Sequence, residues 1–284
     1  MTNRIRAVEF HDRRLNAAEA EIHVRVIPER PAPSSEIRGR LTGPVCAYAS
    51  TMEVAYPMRP LGNSDAAGLT GLVVIPEPSR WDPTSPFLYH ATVELWENGT
   101  LSDQVQIRRG LRTLGRSSRE FLLNGREWKL RGVPFREQAD LAQMRRAGIN
   151  TLLVPLLPEA IDILDLADRL GHFVIGTMSG SGQTLGALKA LSDHPCCFGF
   201  LYTQEALQVG IPSASTIGVL FGASVSAVPD RLPEAIHYVV CEASDAPDLA
   251  RLGVPIVAKA KIPWSEAVAE SSAHPAAAGW IFEA

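Results

Sequence analysis

Eight short apolar runs, spaced by polar or helix-patterned stretches, fill the chain after about Ser117 and restrict its fold more than any other feature. They are residues 128–133, 150–157, 172–176, 197–202, 217–221, 237–241, 254–258 and 279–282. Runs of this length with little polar alternation suit strands buried on both faces. Residues 140–147, 159–170, 185–192, 247–252 and 265–271 carry helical spacing between them. Eight buried strands interleaved with helices predict a parallel (β/α)8 TIM barrel, with an open doubly wound sheet as the competing arrangement. Residues 117–284 must build it, fewer than the roughly 200 usual for that fold. The connection 206–216 also holds Gly210 and Pro212. The expectation is a reduced barrel lacking one or two helices.

The first 116 residues have a different rhythm. Residues 21–26 (Glu-Ile-His-Val-Arg-Val) and 104–108 (Gln-Val-Gln-Ile-Arg) alternate strictly, and residues 90–95 do so in part, which marks half-buried strands. Prolines cluster between them at 28, 31 and 33, at 57 and 60, and at 76, 78, 83 and 86. Short strands between Pro/Gly turns predict a small all-β antiparallel sandwich over residues 1–116, followed by the α/β barrel over 117–284. Asn98-Gly99 between two such strands reads as a hairpin turn, although Asn98-Gly99-Thr100 is formally a glycosylation sequon.

Composition narrows the function classes. At 284 residues, with 46% hydrophobic and 20% charged residues, the chain can bury a sizeable core. Twenty-seven Lys and Arg stand against 31 Asp and Glu, leaving a formal charge of −4 and no basic footprint for nucleic acid. No run approaches the ~18 apolar residues of a membrane helix, and no secretory signal is visible behind the first residues, so a cytoplasmic location is expected. Cys46, Cys196, Cys197 and Cys241 have no metal-ligand spacing, which suits a reducing compartment. No metal and no cofactor is expected.

Several segments resemble one family in order along the chain. Ile75-Pro76-Glu77-Pro78-Ser79-Arg80-Trp81-Asp82-Pro83 with Pro86-Phe87-Leu88-Tyr89 resembles the end of the immunoglobulin-like domain of glycoside hydrolase family 2, the family of β-galactosidases and β-glucuronidases. Gly110-Leu111-Arg112-Thr113 resembles its strand leading to the barrel. Phe121-Leu122-Leu123-Asn124-Gly125 and Leu130-Arg131-Gly132-Val133 resemble the barrel entry. Leu164 to Gly171, His194-Pro195 and Gly279-Trp280 continue the likeness. Trp81 and Tyr89 beside these prolines are read as pinning a rigid turn. Asp165 and Asp168 are read as solvated or paired with Arg169, and His172 and His194 as helix–strand junction residues with capping hydrogen bonds.

The resemblance implies retaining hydrolysis by two carboxyl groups about 5–5.5 Å apart at the C-terminal ends of barrel strands. It places the acid/base at Glu205, with Gln204 where the family has Asn. At the nucleophile position on strand seven the chain has Ala260, flanked by Lys259 and Lys261. Supporting positions also depart: Leu153 and Leu156 replace charged residues on strand two, and Thr177 an acid on strand three. Arg136 and Glu137 stand in the family's strand-one motif. The sugar-binding jelly roll that precedes the sandwich in that family is not recognised. Glu242 and Glu283 are weak candidates for a second carboxylate, which at roughly 6.5–9.5 Å from Glu205 would suit an inverting mechanism. Tyr202 and Trp280 join Gln204, Glu137 and Arg136 as candidate substrate-binding residues. The resulting expectation is a catalytically impaired family relative that binds an oligo- or polysaccharide, or a protein partner. The alternative is an active hydrolase with Glu205 as general acid.

Two other motifs stand in the sequence. Gly180-Ser181-Gly182-Gln183-Thr184-Leu185-Gly186 resembles a dinucleotide loop, but its third glycine falls one residue late and it follows the third strand. Ser179 and Ser181 lack a G-x-S-x-G elbow, which argues against a serine hydrolase.

Overall fold

The computed structural model describes residues 3–65, 68–137, 140–155, 160–178, 185–209, 218–263 and 277–283. The chain forms two compact units, residues 1–81 with 87–111, and residues 82–86 with 112–284.

The first unit is a sandwich of two four-stranded antiparallel sheets. One has the order β1-β2-β6-β5, with β1 Ile5–Leu15, β2 Glu19–Pro28, β5 Arg59–Asp65 and β6 Gly68–Pro76. The other has the order β4-β3-β7-β8, with β3 Ser35–Val45, β4 Val54–Pro57, β7 Leu88–Glu97 and β8 Thr100–Arg109. Alternation builds the core: Ile22, Val24 and Val26 from β2 meet Ile37 and Leu41 from β3 and Ala91 and Val93 from β7. The β7–β8 turn needs two left-handed residues and has them, Asn98 at φ 49° and Gly99 at φ 78°. The predicted rigid turn is present, with Trp81 and Tyr89 buried and the Tyr89 hydroxyl accepting from Ser79 N–H at 2.9 Å.

The second unit holds a closed barrel of eight parallel strands. They are β12 Leu130–Pro134, β13 Thr151–Pro155, β14 Phe173–Met178, β15 Cys197–Tyr202, β16 Leu220–Ser224, β17 Tyr238–Glu242, β18 Ile256–Ala260 and β19 Gly279–Phe282. β19 pairs back to β12, which closes the ring and rules out the open sheet. The helices are α1 Leu141–Arg146, α2 Ala160–Leu170, α3 Leu185–Ser192, α4 Gln204–Val209 and α5 Ala246–Leu249. α1 begins where Asp140 caps it, accepting from Gln143 N–H at 3.0 Å. The 206–216 connection carries one short helix, and its later residues lie outside the described ones. So do the 265–271 helix and the glycine-rich loop at 180–184.

Three short strands, β9 Leu114–Arg116, β10 Phe121–Leu123 and β11 Arg126–Trp128, form a separate small sheet. Phe121 and Trp128 from this sheet meet Phe173, Phe198 and Tyr238, which stand at or next to the first residues of β14, β15 and β17. Phe198 lies within 5.0–5.9 Å, centroid to centroid, of all four other rings. The small sheet is thus an aromatic plug at the N-terminal end of the barrel. Gly222 lets it close, because a Cβ there would fall 2.3 Å from the Tyr238 ring. Chemistry, if any, belongs to the opposite end.

Candidate functional site

All eight strands are parallel, so their C-terminal ends make one rim. Glu137 follows β12, Glu205 follows β15, Glu242 ends β17 and Glu283 follows β19. The rim therefore gathers every carboxylate expected there from sequence. Each one with a resolved contact is held by a different neighbour.

Glu205 is exposed in the first turn of α4, and its carboxylate accepts from the Thr203 hydroxyl at 3.3 Å. Thr203 also accepts from Ala206 N–H at 3.4 Å, so it serves as the N-cap of the helix on which Glu205 sits. A carboxylate in a first helical turn is favoured by the helix dipole whatever its other duties. Gln204, also exposed, accepts from the Ser226 hydroxyl at 3.3 Å.

Strand alternation decides which side of β18 each residue takes. Ile256 packs with Leu249 and Ala246 of α5 and with Val239 and Cys241 of β17 in the layer between strands and helices. The register Val239↔Ile256 to Glu242↔Lys259 runs without a bulge. Counting in twos, Glu242 and Lys259 take the lumen side and Ala260 the helix side. Lys259 Nζ lies 3.1 Å from Glu283, and Lys261 Nζ lies 3.8 Å from Glu242. Lys259 of β18 and Lys261 just beyond its end thus pair with the two candidate second carboxylates.

The remaining candidates divide. Arg136 and Glu137 are exposed just beyond β12, where both can reach a rim ligand. Tyr202 is buried in the layer that includes Met178, Leu188 and Ala206, with its ring stacked on Phe221 at 6.1 Å. Its hydroxyl has no hydrogen-bond partner among the described residues, and burial pushes it up to about 12. Trp280 is buried as the second residue of β19. Thr177 and Leu153 are half-buried on β14 and β13, and Leu156 lies outside the described residues. Cys241, beside Glu242, is a thiol that burial pushes up to about 11, so it is no nucleophile.

Away from the rim, two expectations are corrected. Asp168 is not solvated and does not pair with Arg169: it is 2% exposed, its Oδ2 lies 2.7 Å from His194 Nδ1, and its Oδ1 accepts from Cys196 N–H at 2.9 Å. It ties α2 to the segment entering β15. Asp165, Asp168 and His194 could present ligand atoms within 4.8 Å of one another, yet both Asp168 oxygens already serve this tie. His172 carries no capping bond; neither ring nitrogen has a partner among the described residues.

A sandwich followed by a closed parallel barrel is a fold that this chain shares with a solved glycosyl hydrolase family 2 member. Residues 4–112 match the sequence profile of Glycosyl hydrolases family 2. A β-glucuronidase from Paenibacillus borealis is 28% identical over 132 residues, covering 41% of this chain and 22% of that protein. A β-galactosidase from Thermoanaerobacter pseudethanolicus is 28% identical over 152 residues, covering 43% of this chain and 20% of that one. Among solved structures, a Bifidobacterium dentium β-glucuronidase superposes with a TM-score of 0.70 at 15% identity, covering 99% of this chain and 60% of its own. A family 2 member from Bacteroides cellulosilyticus gives 0.70 at 16%, covering 99% and 44%. The chain is thus similar to glycosyl hydrolase family 2 proteins, in sequence over residues 4–112 and in fold over 99% of its length. Its matches span only about a fifth of the length of these two curated relatives. Among the described residues, no helix is long and apolar enough to cross a membrane.

Proposed function

We propose that this chain has lost retaining glycoside hydrolysis and serves as a carbohydrate-binding module through the mouth of its barrel. One observation carries the reading. On strand seven, where the family resemblance calls for a nucleophilic carboxylate, the chain has Ala260 between two lysines, and those lysines hold Glu283 and Glu242. A carboxylate bound by an ammonium at 3.1 Å is a poor base toward water, because protonating it breaks the ion pair. Glu205, Gln204, Arg136 and Glu137 remain exposed to make hydrogen bonds with sugar hydroxyls.

The test is a panel of aryl glycosides incubated with the wild-type chain, with Glu205→Gln and with Ala260→Glu. No turnover is expected from any of the three. Ala260→Glu stays inactive because alternation aims position 260 at the helix layer and its lysine neighbours would capture the new acid. In the same samples, a neutral or acidic oligosaccharide is expected to raise the melting temperature of the wild-type chain. Turnover that disappears in Glu205→Gln would establish the alternative, an active hydrolase with Glu205 as general acid. Inactivity with no thermal shift from any saccharide would remove the sugar-binding reading and leave a protein-interaction role.

A further inference from the structure

The outer face of the sheet β1-β2-β6-β5 brings two histidines together. Ala20, Ile22, Val24 and Val26 of β2 and Val8 and Phe10 of β1 pack in or against the sandwich core, so the residues that alternate with them face away from it. Register sets three such pairs in succession across these strands: Glu9 opposite Arg25, His11 opposite His23, and Arg14 opposite Glu21. The outer two match opposite charges. The middle one sets like against like, and directly opposed side chains on a sheet have Cβ atoms about 4.5–5.5 Å apart. Two imidazoles so placed repel each other when both are protonated.

Each ring is held at one nitrogen only. His23 Nε2 donates to Glu21 Oε1 at 3.1 Å, and Glu9 Oε2 stands 3.8 Å from His11 Nε2. A carboxylate only accepts, so it keeps the proton on Nε2 and leaves Nδ1 of a neutral ring with its lone pair. Neither Nδ1 has a partner among the described residues. The two side chains are 48% and 31% exposed, which leaves both within reach of a small ion from solvent. A histidine whose far nitrogen meets a carboxylate is the usual form of a metal ligand, because the acid orients the ring and raises the basicity of the ligating nitrogen. Both members of this pair have that form.

We propose that His11 and His23 form a cross-strand site for a divalent transition-metal ion of the zinc or nickel type. Nδ1 of each ring is the ligand, Glu21 and Glu9 orient the rings, and water fills the remaining positions. Imidazole nitrogen selects these borderline ions over magnesium and calcium, which prefer oxygen. The bound ion ties β1, at the edge of its sheet, to β2. Asp165, Asp168 and His194 in the other unit are the competing place for such an ion. They are the weaker one, because Asp168 already meets His194 Nδ1 and Cys196 N–H.

The experiment is isothermal titration of the untagged full chain with Zn²⁺ and with Ni²⁺, and with Mg²⁺ as control. One ion of the first two per chain is expected, with no comparable binding of Mg²⁺. His11→Gln and His23→Gln should each weaken binding about tenfold or more, and Glu21→Ala, which keeps both ligands, about tenfold. Asp165→Asn and His90→Gln should leave it unchanged. A second measurement needs no variant: paramagnetic Ni²⁺ should broaden the imidazole NMR signals of two of the seven histidines before the others, and those two should be His11 and His23. Failure to bind either ion overturns the proposal, as does binding that survives both histidine substitutions. Loss in Asp165→Asn, first broadening at other histidines, or equal binding of Mg²⁺ overturns it too, by placing the ion elsewhere or on carboxylates alone.

Discussion

Between pH 7 and pH 4 the barrel unit is expected to lose about 3 kcal/mol of stability through one side chain, His172. The imidazole is fully buried, and burial, with a smaller contribution from the Arg145 cation, lowers its pKa from 6.5 to about 4. The unfolded chain takes up this proton near pH 6.5 and the folded chain only near pH 4, so through that window the unfolded state binds more protons. The stabilising contribution is fully present above pH 6.5, declines as pH falls, and is spent below about pH 4. A gap of roughly 2.5 pH units at about 1.36 kcal/mol per unit gives the size. Denaturant unfolding of the wild-type chain and of His172→Phe at pH 7, 5.5 and 4 measures it. The variant should lose about 3 kcal/mol less across the series, and parallel declines would remove His172 as the cause.

Phe198→Ala should cost about 3–5 kcal/mol, because the deleted ring touches four others and none of them can collapse freely into the gap. Phe121 and Trp128 are fixed on the small sheet, while Phe173 and Tyr238 are fixed on strands of a closed barrel. Tyr238→Phe in the same cluster makes an informative contrast. The Tyr238 hydroxyl is buried with no partner among the described residues, so removing it should be neutral or stabilising by up to about 1 kcal/mol. Urea denaturation at pH 7 reads both. A large loss in Tyr238→Phe would reveal a hydrogen bond to the hydroxyl, and a loss under about 1 kcal/mol in Phe198→Ala would mean that the plug repacks.

The barrel was legible because buried parallel strands leave near-continuous apolar runs. Residues 197–202 and 279–282 correspond to β15 and β19 residue for residue. The run at 217–221 falls short of β16, which continues through polar Ser224, because a strand end that faces a barrel mouth need not be apolar. The small sheet escaped notice, since strands of three residues are too short to show a period. Glu205 and the lysine-flanked Ala260 could be located from sequence through the family resemblance. What Glu242 and Glu283 do could not, because their partners come from the neighbouring strand β18 and only barrel closure sets Lys259 beside Glu283. Asp168 was misjudged for the same reason: its position on α2 reads as a polar face, while its partners lie at 194 and 196, more than twenty residues away.

The path of the chain between the two compact units has a practical meaning. Residues 82–86 belong with the barrel although the sandwich strands β7 and β8 come after them. Arg145 of α1 donates to the carbonyls of Pro83 and Thr84 there and also to that of Leu170. A barrel expressed from residue 112 onward would lack the Pro83 and Thr84 carbonyls that the Arg145 guanidinium donates to, and a sandwich ending at 111 would carry that turn with nothing to receive it. The two units interleave along the chain and are not separable lengths of sequence, so a gene fusion or truncation placed at the obvious junction would damage both halves at once.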